Sequence, residues 1–359
     1  MPATEELTSF PATTWTYDDY HEYDDDEYDS FYVDEKCNAT GLVHFGEISS
    51  PIFFSATLVL SLLGNILVTV ILLKYENIKT LTNAFIFNLA VSDLLFAAAL
   101  PFWAYYHVFG WTLGETACKV VSFVFDVGFY SSGLLLIAMT VQRYAAVLNP
   151  LSGLVSAAGA CSLRASALIW ILSILVATPA FIFSKVVVQD GLGECVYGDS
   201  YGSLWRIYQQ NLLFLLISGV FIFCYSQILC RLLRPSSQRR RNRTLKLIFA
   251  LLLVFFVGWA PYNVTLFLRS LHFWPETAVN FTTLAERCVG RNLLGYAFQV
   301  SRLLAFSHCC LNPVFYVLVG SKYKNHLKRM MGSHRHGNIS SRQSRYTITS
   351  LSSGEELYL

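Results

Sequence analysis

Ionisable side chains lie inside long apolar stretches of this sequence, where a charge needs a partner. Asp93 is the sharpest case, in the stretch NLAVSDLL. A charged side chain in the middle of a membrane helix is unfavourable, so it indicates a functional site by default. The polar residues that could line the same interior are Asn65, Asn88, Ser132, His308 and Asn312. The alternative is a structural hydrogen-bond network, because buried polar groups often only join helices.

The cysteines and the enzyme motifs narrow the chemistry further. The nine cysteines are dispersed rather than clustered at C-x-x-C spacing, so they do not indicate a metal site. Four fall at or beyond the ends of apolar blocks on the predicted outer side, where two disulfides can form: Cys37, Cys118, Cys195 and Cys288. No Ser, His or Asp lies in a nucleophile motif, and no phosphate-binding loop occurs. The sequence therefore does not predict an enzyme.

The elements that must position these residues are long apolar blocks. Hydrophobic residues make up 54% of the chain and charged residues only 14%, well below the roughly 25% of a soluble domain. About twenty residues at 1.5 Å each cross ~30 Å of hydrocarbon. Seven blocks are predicted at 50–74, 81–107, 115–147, 165–186, 204–233, 244–271 and 291–320. Because backbone groups have no water partners in lipid, each block must be helical, which predicts an all-α membrane protein with irregular loops.

Charge is segregated along the chain, although the net charge is only +2. Acidic residues dominate the segment before Lys36, whereas the loop near 234–246 and the segment after Gly320 are basic. By the positive-inside rule the basic segments are cytoplasmic and the acidic head is extracellular. The N-terminus MPATEELTSF lacks the features of a cleavable signal peptide, so block one would act as the insertion signal.

Four regions follow from this pattern. Residues 1–49 form an acidic, tyrosine-rich head, and residues 50–320 form the seven-helix bundle. Residues 321–331 carry apolar residues at helical spacing among basic ones, which is typical of a short amphipathic helix on the inner membrane surface. Residues 332–359 are rich in serine and threonine and are predicted to be a disordered cytoplasmic tail.

The head has the composition of a surface that attracts a basic protein. Its tyrosines alternate with acidic residues, a setting in which tyrosines are often sulfated; the predicted ligand-binding tyrosines are Tyr17, Tyr20, Tyr23 and Tyr28. Such a strip would attract a cationic partner over a Debye length of ~8 Å. The alternative is a merely solvating acidic tail. Asn38 and Asn280 lie in outer sequons and are predicted glycosylation sites.

Six short motifs occur in the order that is typical of rhodopsin-like G-protein-coupled receptors. They are GNILV, NLAVSDLL, QRY, Trp170, WAPY and NPVFY. The resemblance implies that Asp93, Ser132 and Asn312 hold a sodium ion in the inactive state, its one implied cofactor. Such a cation would stabilise only the packing in which these groups converge, so it would bias a two-state equilibrium. The coupling and switch residues that the resemblance implies are Arg143, Tyr144, Tyr225, Trp259, Pro261, Asn312 and Tyr316.

Further stretches resemble the chemokine receptors within that class. They are LPFWAYY at 100–106, RNRTLKLIFALLL before WAPYN, and SHCCLNPVFY at 307–316. The stretches KYENIKTLTNAFIFNLAVSDLLFA, YQQNLLFLL and RLLAFSHCC are most similar to the XC-type (lymphotactin) branch. The resemblance implies a plasma-membrane receptor for a small basic chemokine. Inside the cell it implies an inhibitory heterotrimeric G protein, and arrestin bound through the phosphorylated tail.

The chemokine resemblance also implies how the outer face is built. Cys118 would pair with Cys195, and Cys37 with Cys288, the second bridge tying the head to the bundle rim. The head would grip the folded body of the ligand. A pocket would receive the ligand's flexible N-terminus, and its predicted lining residues are Trp103, Phe125, Tyr262 and Arg302.

Three positions depart from the family pattern. Gln142 stands where an aspartate usually precedes Arg143; the amide can still accept a hydrogen bond but removes the restraining charge. Ile217 replaces a proline, so block five is expected to lack its usual bulge. Arg302 replaces a glutamate that meets the ligand in many chemokine receptors; it contacts the ligand, or it pairs with an acidic residue at the rim, either Glu194 or Glu286.

Two other functions remain as alternatives. A scavenging chemokine receptor that internalises ligand without G-protein signalling is favoured by Gln142, whereas Arg143 and Tyr225 favour signalling. A transporter is disfavoured, because the sequence has neither repeated halves nor paired broken helices. Nothing indicates a nucleic-acid partner.

Overall fold

The computed structural model describes residues 40–148, 159–189, 192–198, 200–232, 238–271, 284–319, 326–327 and 329. Within these residues the chain is helical apart from one hairpin and short connecting loops. The helices are α1 Thr40–Tyr75, α2 Leu81–Phe109, α3 Gly114–Leu148, α4 Gly159–Phe183, α5 Ser200–Leu232, α6 Gln238–Leu271, α7 Leu284–Phe306 and α8 His308–Val319. The predicted helical bundle with a short helix after the seventh is therefore confirmed.

Length and composition identify membrane-crossing helices among the described residues. Five are long and apolar enough to cross a bilayer: Thr40–Tyr75, Leu81–Phe109, Gly114–Ala145, Ser162–Phe183 and Gly202–Arg231. The helix α1 begins well before predicted block one, so the last residues assigned to the head are helical. The predicted amphipathic helix at 321–331 is described only at 326–327 and 329, which are helical, and so it stays a prediction.

The ends of α2 show how local sequence sets a helix boundary. Thr80 has extended backbone angles and accepts a hydrogen bond from the Asn83 amide at 3.4 Å, which satisfies one free donor of the first turn. At the other end Gly110 has a φ of 69°, a conformation that favours glycine, and its amide donates to the Tyr106 carbonyl. Both ends therefore fall where a side chain or a glycine closes the hydrogen bonding.

The loop between α4 and α5 is not irregular as expected, because it contains a β-hairpin. Strand β1 (Ser184–Gln189) pairs antiparallel with β2 (Leu192–Tyr197). The run SKVVVQ followed by the dipeptide DG has the residue types of a hairpin. Predicted block four, at 165–186, included the start of this run as helix. The Trp111 amide donates to the Gly193 carbonyl at 2.6 Å, and a Cβ at Gly193 would collide with the Trp111 carbonyl. Glycine therefore permits this close approach.

Predicted block seven is divided at Ser307, between α7 and α8. Pro313 follows in α8; it has no amide hydrogen, so the carbonyl of Cys309, four residues earlier, loses its helical donor. That carbonyl instead accepts the Asn65 amide at 2.9 Å and the Ser61 hydroxyl at 3.3 Å. Two polar side chains of α1 thus replace the backbone hydrogen bond that the proline removes.

The core of the described bundle is aromatic. Phe96, on α2, lies 4.5 Å from Phe125 and 5.3 Å from Phe306, measured between ring centroids. Trp103 reaches the same cluster through Phe125, at 6.1 Å. Close packing of large rings in the outer half of α2, α3 and α7 fixes the position of the polar groups below them.

Candidate functional site

Asp93 is fully buried and meets polar groups from two other helices, α3 and α8. The Asn312 amide donates to its Oδ2 at 2.8 Å, and the Ser132 hydroxyl donates to its Oδ1 at 3.4 Å. His308 Nε2 lies 4.0 Å from the same Oδ1. The structure therefore brings together the three residues predicted to hold a cation, and α8 meets α2 and α3 at this carboxylate. Among the described residues no cluster of three or more His, Cys, Asp or Glu side chains could hold a metal ion.

Two further residues expected to line this interior, Asn65 and Asn88, are bonded to groups other than Asp93. Asn65 faces the Cys309 carbonyl, as described above. Asn88 donates to Ser166 at 3.1 Å and accepts the Trp170 indole at 2.7 Å, so it joins α2 to α4. Five residues along a helix amount to about 500° at 3.6 residues per turn, which points Asn88 away from the face that carries Asp93. Asn65 therefore lines the buried interior beside α8, whereas Asn88 faces α4, and the described hydrogen bonds of both go to groups other than the Asp93 carboxylate.

Trp259 connects the Asp93 cluster to the outer pocket. Its ring lies 4.9 Å from that of His308 and 5.2 Å from that of Phe129. Pro261 follows it inside α6, where it removes a backbone donor and favours a kink. Tyr262 lies on the outer side of Trp259, with ring centroids 6.2 Å apart. Trp259 therefore contacts the Asp93 cluster through His308 and the outer pocket through Tyr262.

At the inner end of α3, Arg143 is exposed and Gln142 is engaged elsewhere. The Gln142 amide donates to the Thr82 hydroxyl of α2 at 2.8 Å. The Tyr144 ring lies 5.8 Å from that of Phe223 on α5. Tyr225, the partner predicted for Arg143 in the active state, is buried on α5, and its pairing with Arg143 stays a prediction. The replacement of an aspartate by Gln142 thus gives α3 a tie to α2.

The predicted ligand-pocket residues belong to one connected set. Phe125 and Tyr262 are only 6% and 7% exposed, so they belong to the core beneath the pocket more than to its lining. Trp103 is partly buried and packs on Trp111 and Phe125. Phe306 joins the two halves, because its ring lies 5.2 Å from Phe125 and 6.1 Å from Tyr262.

Arg302 lies where α7 meets α1 and α2. Its Nη2 lies 3.0 Å from His107 Nε2 and donates to the Ser50 hydroxyl at 3.3 Å. The guanidinium also lies 5.8 Å from the Phe54 ring and 5.9 Å from the Phe298 ring. His107 as a partner was not foreseen from the sequence. For Glu286, one of the two acidic partners considered, the structure describes the backbone only.

A second ion pair, between Asp126 and Arg206, was missed in the sequence. Arg206 Nη2 on α5 donates to Asp126 Oδ1 on α3 at 2.7 Å. Asp126 lies within FVFDVGF, an ionisable residue among apolar ones like Asp93, and that pattern indicates a candidate site residue. The Arg206 guanidinium also lies 5.2 Å from the ring of Tyr197 in β2.

The hairpin is fastened over this outer end at several points. A disulfide joins Cys118 near the start of α3 to Cys195 in β2, which agrees with the predicted pairing. Ser203 donates to the Tyr197 carbonyl at 3.0 Å and links β2 to α5. Burial raises the pKa of Tyr197 to about 12 against the opposing charge of Arg206, so its phenol is neutral at physiological pH.

Several predicted site residues lie outside the described part of the chain. They are Tyr17, Tyr20, Tyr23, Tyr28, Cys37, Asn38 and Asn280. Cys288 is described and is disulfide-bonded, but its predicted partner Cys37 is among those residues. For Tyr316 the structure describes the backbone in α8 and not the side chain.

Comparison with known proteins identifies the family. Residues 64–316 match the 7 transmembrane receptor (rhodopsin family). The chain is 41% identical to chemokine XC receptor 1 of Homo sapiens over 287 residues, covering 80% of this chain and 82% of that protein. It is 40% identical to the Mus musculus protein of the same name over 294 residues, covering 80% and 84%.

A C-C chemokine receptor is related as well. The chain is 34% identical to C-C chemokine receptor type 4 of Homo sapiens over 316 residues, covering 86% of this chain and 85% of that protein. The relatives are receptors rather than enzymes, and they confirm the multi-pass plasma-membrane location. This chain therefore belongs to the rhodopsin family of seven-transmembrane receptors and, within it, to the chemokine receptors.

Proposed function

We propose that this receptor binds a small, basic chemokine of the lymphotactin type and activates an inhibitory heterotrimeric G protein, driving chemotaxis and calcium signalling. A continuous series of contacts from the outer pocket to the polar centre carries the proposal. Tyr262 contacts Trp259, Trp259 contacts His308, and His308 lies 4.0 Å from Asp93. A ligand that binds one packing of this series more tightly than another shifts the receptor population toward it.

The ligand site works in two steps. The acidic head supplies attraction for the folded body of the chemokine, whose basic surface it complements. The pocket bounded by Trp103, Tyr262 and Arg302 receives the flexible N-terminus of the ligand. The first contact contributes most of the affinity, and the second changes the packing of the bundle.

Removing the head tyrosines is expected to slow ligand association. Replacing Tyr17, Tyr20, Tyr23 and Tyr28 together with phenylalanine prevents sulfation, and electrostatic steering changes association rates by about 10-fold or more. We expect binding at least about tenfold weaker and a smaller dependence on salt. Association kinetics of labelled chemokine at low and physiological salt measure both, with Trp15→Phe in the same head as the control. Unchanged affinity at both salt concentrations would sink this role of the head.

On the inner side, we expect the Gln142–Thr82 hydrogen bond to restrain basal activity. A neutral hydrogen bond contributes about 0.5–1.5 kcal/mol, so its loss shifts a two-state equilibrium by about 2–10-fold. Thr82→Val should raise ligand-independent nucleotide exchange by that factor, whereas Thr82→Ser, which keeps the hydroxyl, should not. The role is wrong if the valine and serine variants have the same basal exchange.

A sodium ion is a further proposal for the Asp93 cluster. Hard cations prefer oxygen ligands, and the carboxylate faces the Ser132 hydroxyl, with the amide of Asn312 also in contact. His308 Nε2, next to Asp93 Oδ1, is buried and has no hydrogen-bond partner among the described residues. This ring nitrogen is therefore still able to make a polar contact beside the carboxylate. The ion would supply a positive charge that balances Asp93 in the inactive packing. Arrestin binding through the phosphorylated tail 332–359 is proposed from the family resemblance alone.

The second candidate is a scavenging receptor, favoured by Gln142 in place of an acidic residue. One experiment separates the two functions: labelled chemokines are screened on cells that express this chain, and cyclic AMP is measured in the same cells. Binding of lymphotactin with a fall in cyclic AMP is expected for the signalling receptor. Binding and internalisation with unchanged cyclic AMP would establish the scavenger instead, and no binding of lymphotactin would overturn the proposed ligand.

A further inference from the structure

The ion pair between α3 and α5 is unusual in its burial. The side chain of Asp126 is only 3% exposed and that of Arg206 is 22% exposed. Removing two charges from water is unfavourable unless their geometry is good and their remaining valences are satisfied. Here Arg206 donates to Oδ1, and the described contacts give the second carboxylate oxygen of Asp126 no donor. The pair can therefore accommodate another cationic donor.

Three tyrosines lie near the pair. The Tyr197 ring lies 5.2 Å from the guanidinium carbon of Arg206, and Tyr130 lies one turn from Asp126 on the same face of α3. The Tyr262 hydroxyl donates to Gln210, one turn from Arg206 on α5. Tyr130 is 2% exposed, and its hydroxyl has no hydrogen-bond partner among the described residues. A carboxylate and an aromatic ring that both contact one guanidinium form an arrangement that binds organic cations. We call this group the Asp126 cage; its members are Asp126, Tyr130, Tyr197 and Tyr262.

We infer that the Asp126 cage is a binding site for an organic cation, an ammonium or a guanidinium, and that Arg206 is its tethered occupant. The outer exposure of Arg206 leaves a route by which a competing cation can enter. The identity of that cation rests on the proposed function, because a basic chemokine carries both an N-terminal ammonium and basic side chains. A basic group of the inserted ligand therefore displaces the Arg206 guanidinium from Asp126.

Displacement would alter three contacts at once. Arg206 holds α5 against α3 through Asp126, and it packs on Tyr197 of the hairpin. On α5, one turn along, Gln210 accepts a hydrogen bond from the Tyr262 hydroxyl at 3.1 Å. Through this hydrogen bond, a shift of α5 displaces Tyr262 on α6, next to Trp259. The cage, between α3 and α5, is thus a second point besides Arg302 on α7 where ligand chemistry reaches the switch residues.

The first test fills the cage without a chemokine. Arg206→Ala removes the tethered cation from the purified full-length receptor, and propylguanidinium is then added at millimolar concentration. We expect the thermal unfolding midpoint of Arg206→Ala to rise by about 2–4 °C. Propylurea, which has a similar shape and no charge, should have no effect. Wild type and Arg269→Ala, a control arginine that packs on an aromatic ring, keep the tethered cation and should not respond.

A double variant tests whether the response to propylguanidinium depends on the Asp126 carboxylate. Asp126→Asn/Arg206→Ala should lose the response to propylguanidinium, because the amide carries no charge. An equal rise in this double variant, an equal rise with propylurea, or no rise in folded Arg206→Ala would each overturn the cation site.

The second test uses a variant with a smaller risk of misfolding and decides the matter if Arg206→Ala does not fold. The affinities of intact and Nα-acetylated lymphotactin are compared on wild type, Arg206→Gln and Asp126→Asn. The ratio compared is the Kd of the acetylated ligand divided by that of the intact ligand. We expect this ratio to rise about tenfold in Arg206→Gln, which corresponds to one charge-assisted hydrogen bond. In Asp126→Asn it should fall to about one.

A third ligand, with its N-terminal basic side chains changed to glutamine, distinguishes the source of the cation. If acetylation weakens binding to Arg206→Gln, the cation that enters the cage is the α-ammonium. If the glutamine changes weaken it, the cation is a basic side chain. Absence of both effects in Arg206→Gln would overturn displacement by the ligand. If lymphotactin does not bind wild type at all, the proposed ligand fails, and the propylguanidinium result alone supports or rejects the cage.

Discussion

Cys118→Ala is expected to leave less than about a tenth of the wild-type receptor at the cell surface. The Cys118–Cys195 bridge closes a sequence separation of 77 residues and holds the hairpin against α3. Loss of a native disulfide costs about 2–5 kcal/mol, a large part of a total stability of about 5–15 kcal/mol. The hairpin would keep weaker attachments, among them its hydrogen bonds at Gly193 and Tyr197 and the contact of Tyr197 with Arg206. Antibody staining of an N-terminal tag on intact cells measures the effect.

Other cysteine variants serve as controls for this prediction. Cys195→Ala should reproduce the loss, and the double variant should be no worse, because both residues act through one bond. Cys230→Ser should be neutral, since Cys230 is free and exposed. Cys37→Ala should permit folding but impair ligand binding. Equal surface losses from Cys37→Ala and Cys118→Ala would contradict this division between the two bridges.

Arg302→Gln is expected to lower maximal signalling while binding of the chemokine body stays within a few fold. Arg302 presents a fixed fork of donors, and a hydrogen bond to a charged group contributes about 1.5–3 kcal/mol. If the ligand's N-terminus engages this fork only in the active packing, the loss shifts the active population by about 10–100-fold. Concentration–response curves for G-protein activation, taken beside binding curves, separate efficacy from affinity. Arg291→Gln, in the outer part of α7, is the matched control.

The contacts of Arg302 supply the competing explanation. His107 and Ser50 engage the same guanidinium, so Arg302 could act only by holding α7 against α1 and α2. In that case His107→Phe and Ser50→Ala should each reproduce part of the signalling loss with normal surface expression. The acidic residues at the rim are tested by charge exchange: full recovery in Arg302→Glu/Glu286→Arg or Arg302→Glu/Glu194→Arg would assign a structural pair. Failure of both, with normal surface expression, supports ligand contact.

The sequence predicted best the features that depend on residue type along one helix. Block length, charge asymmetry and the buried position of Asp93 follow from the transfer of side chains and backbone into lipid, which each segment obeys separately. The convergence of Ser132 and Asn312 on Asp93 was expected from the family resemblance. Periodicity alone was ambiguous for Asn88, because an amide on either face of α2 finds a partner.

Features that depend on two distant segments were harder to foresee. The Asp126–Arg206 pair joins residues 80 positions apart, and neither the local pattern around Asp126 nor that around Arg206 names the other. His107 meets Arg302 only because α2 and α7 are neighbours in space, a fact absent from either helix's sequence. The hairpin was overlooked because its valine-rich strands lie beside apolar helices, where a short β pattern is easily absorbed into a longer apolar run.

The Cys309 carbonyl that Pro313 leaves without a donor has a consequence for how motion in this receptor can be measured. Because Asn65 and Ser61 satisfy it from α1, sliding α8 past α1 would break two buried hydrogen bonds at once. The two helices are therefore expected to travel as one body on the microsecond-to-millisecond timescale of helix rearrangement. Spin labels at Val59 and Val314, both exposed, would keep a fixed separation when ligand binds. The distance between these two labels therefore serves as a fixed reference for measuring the displacement of a third label on α6.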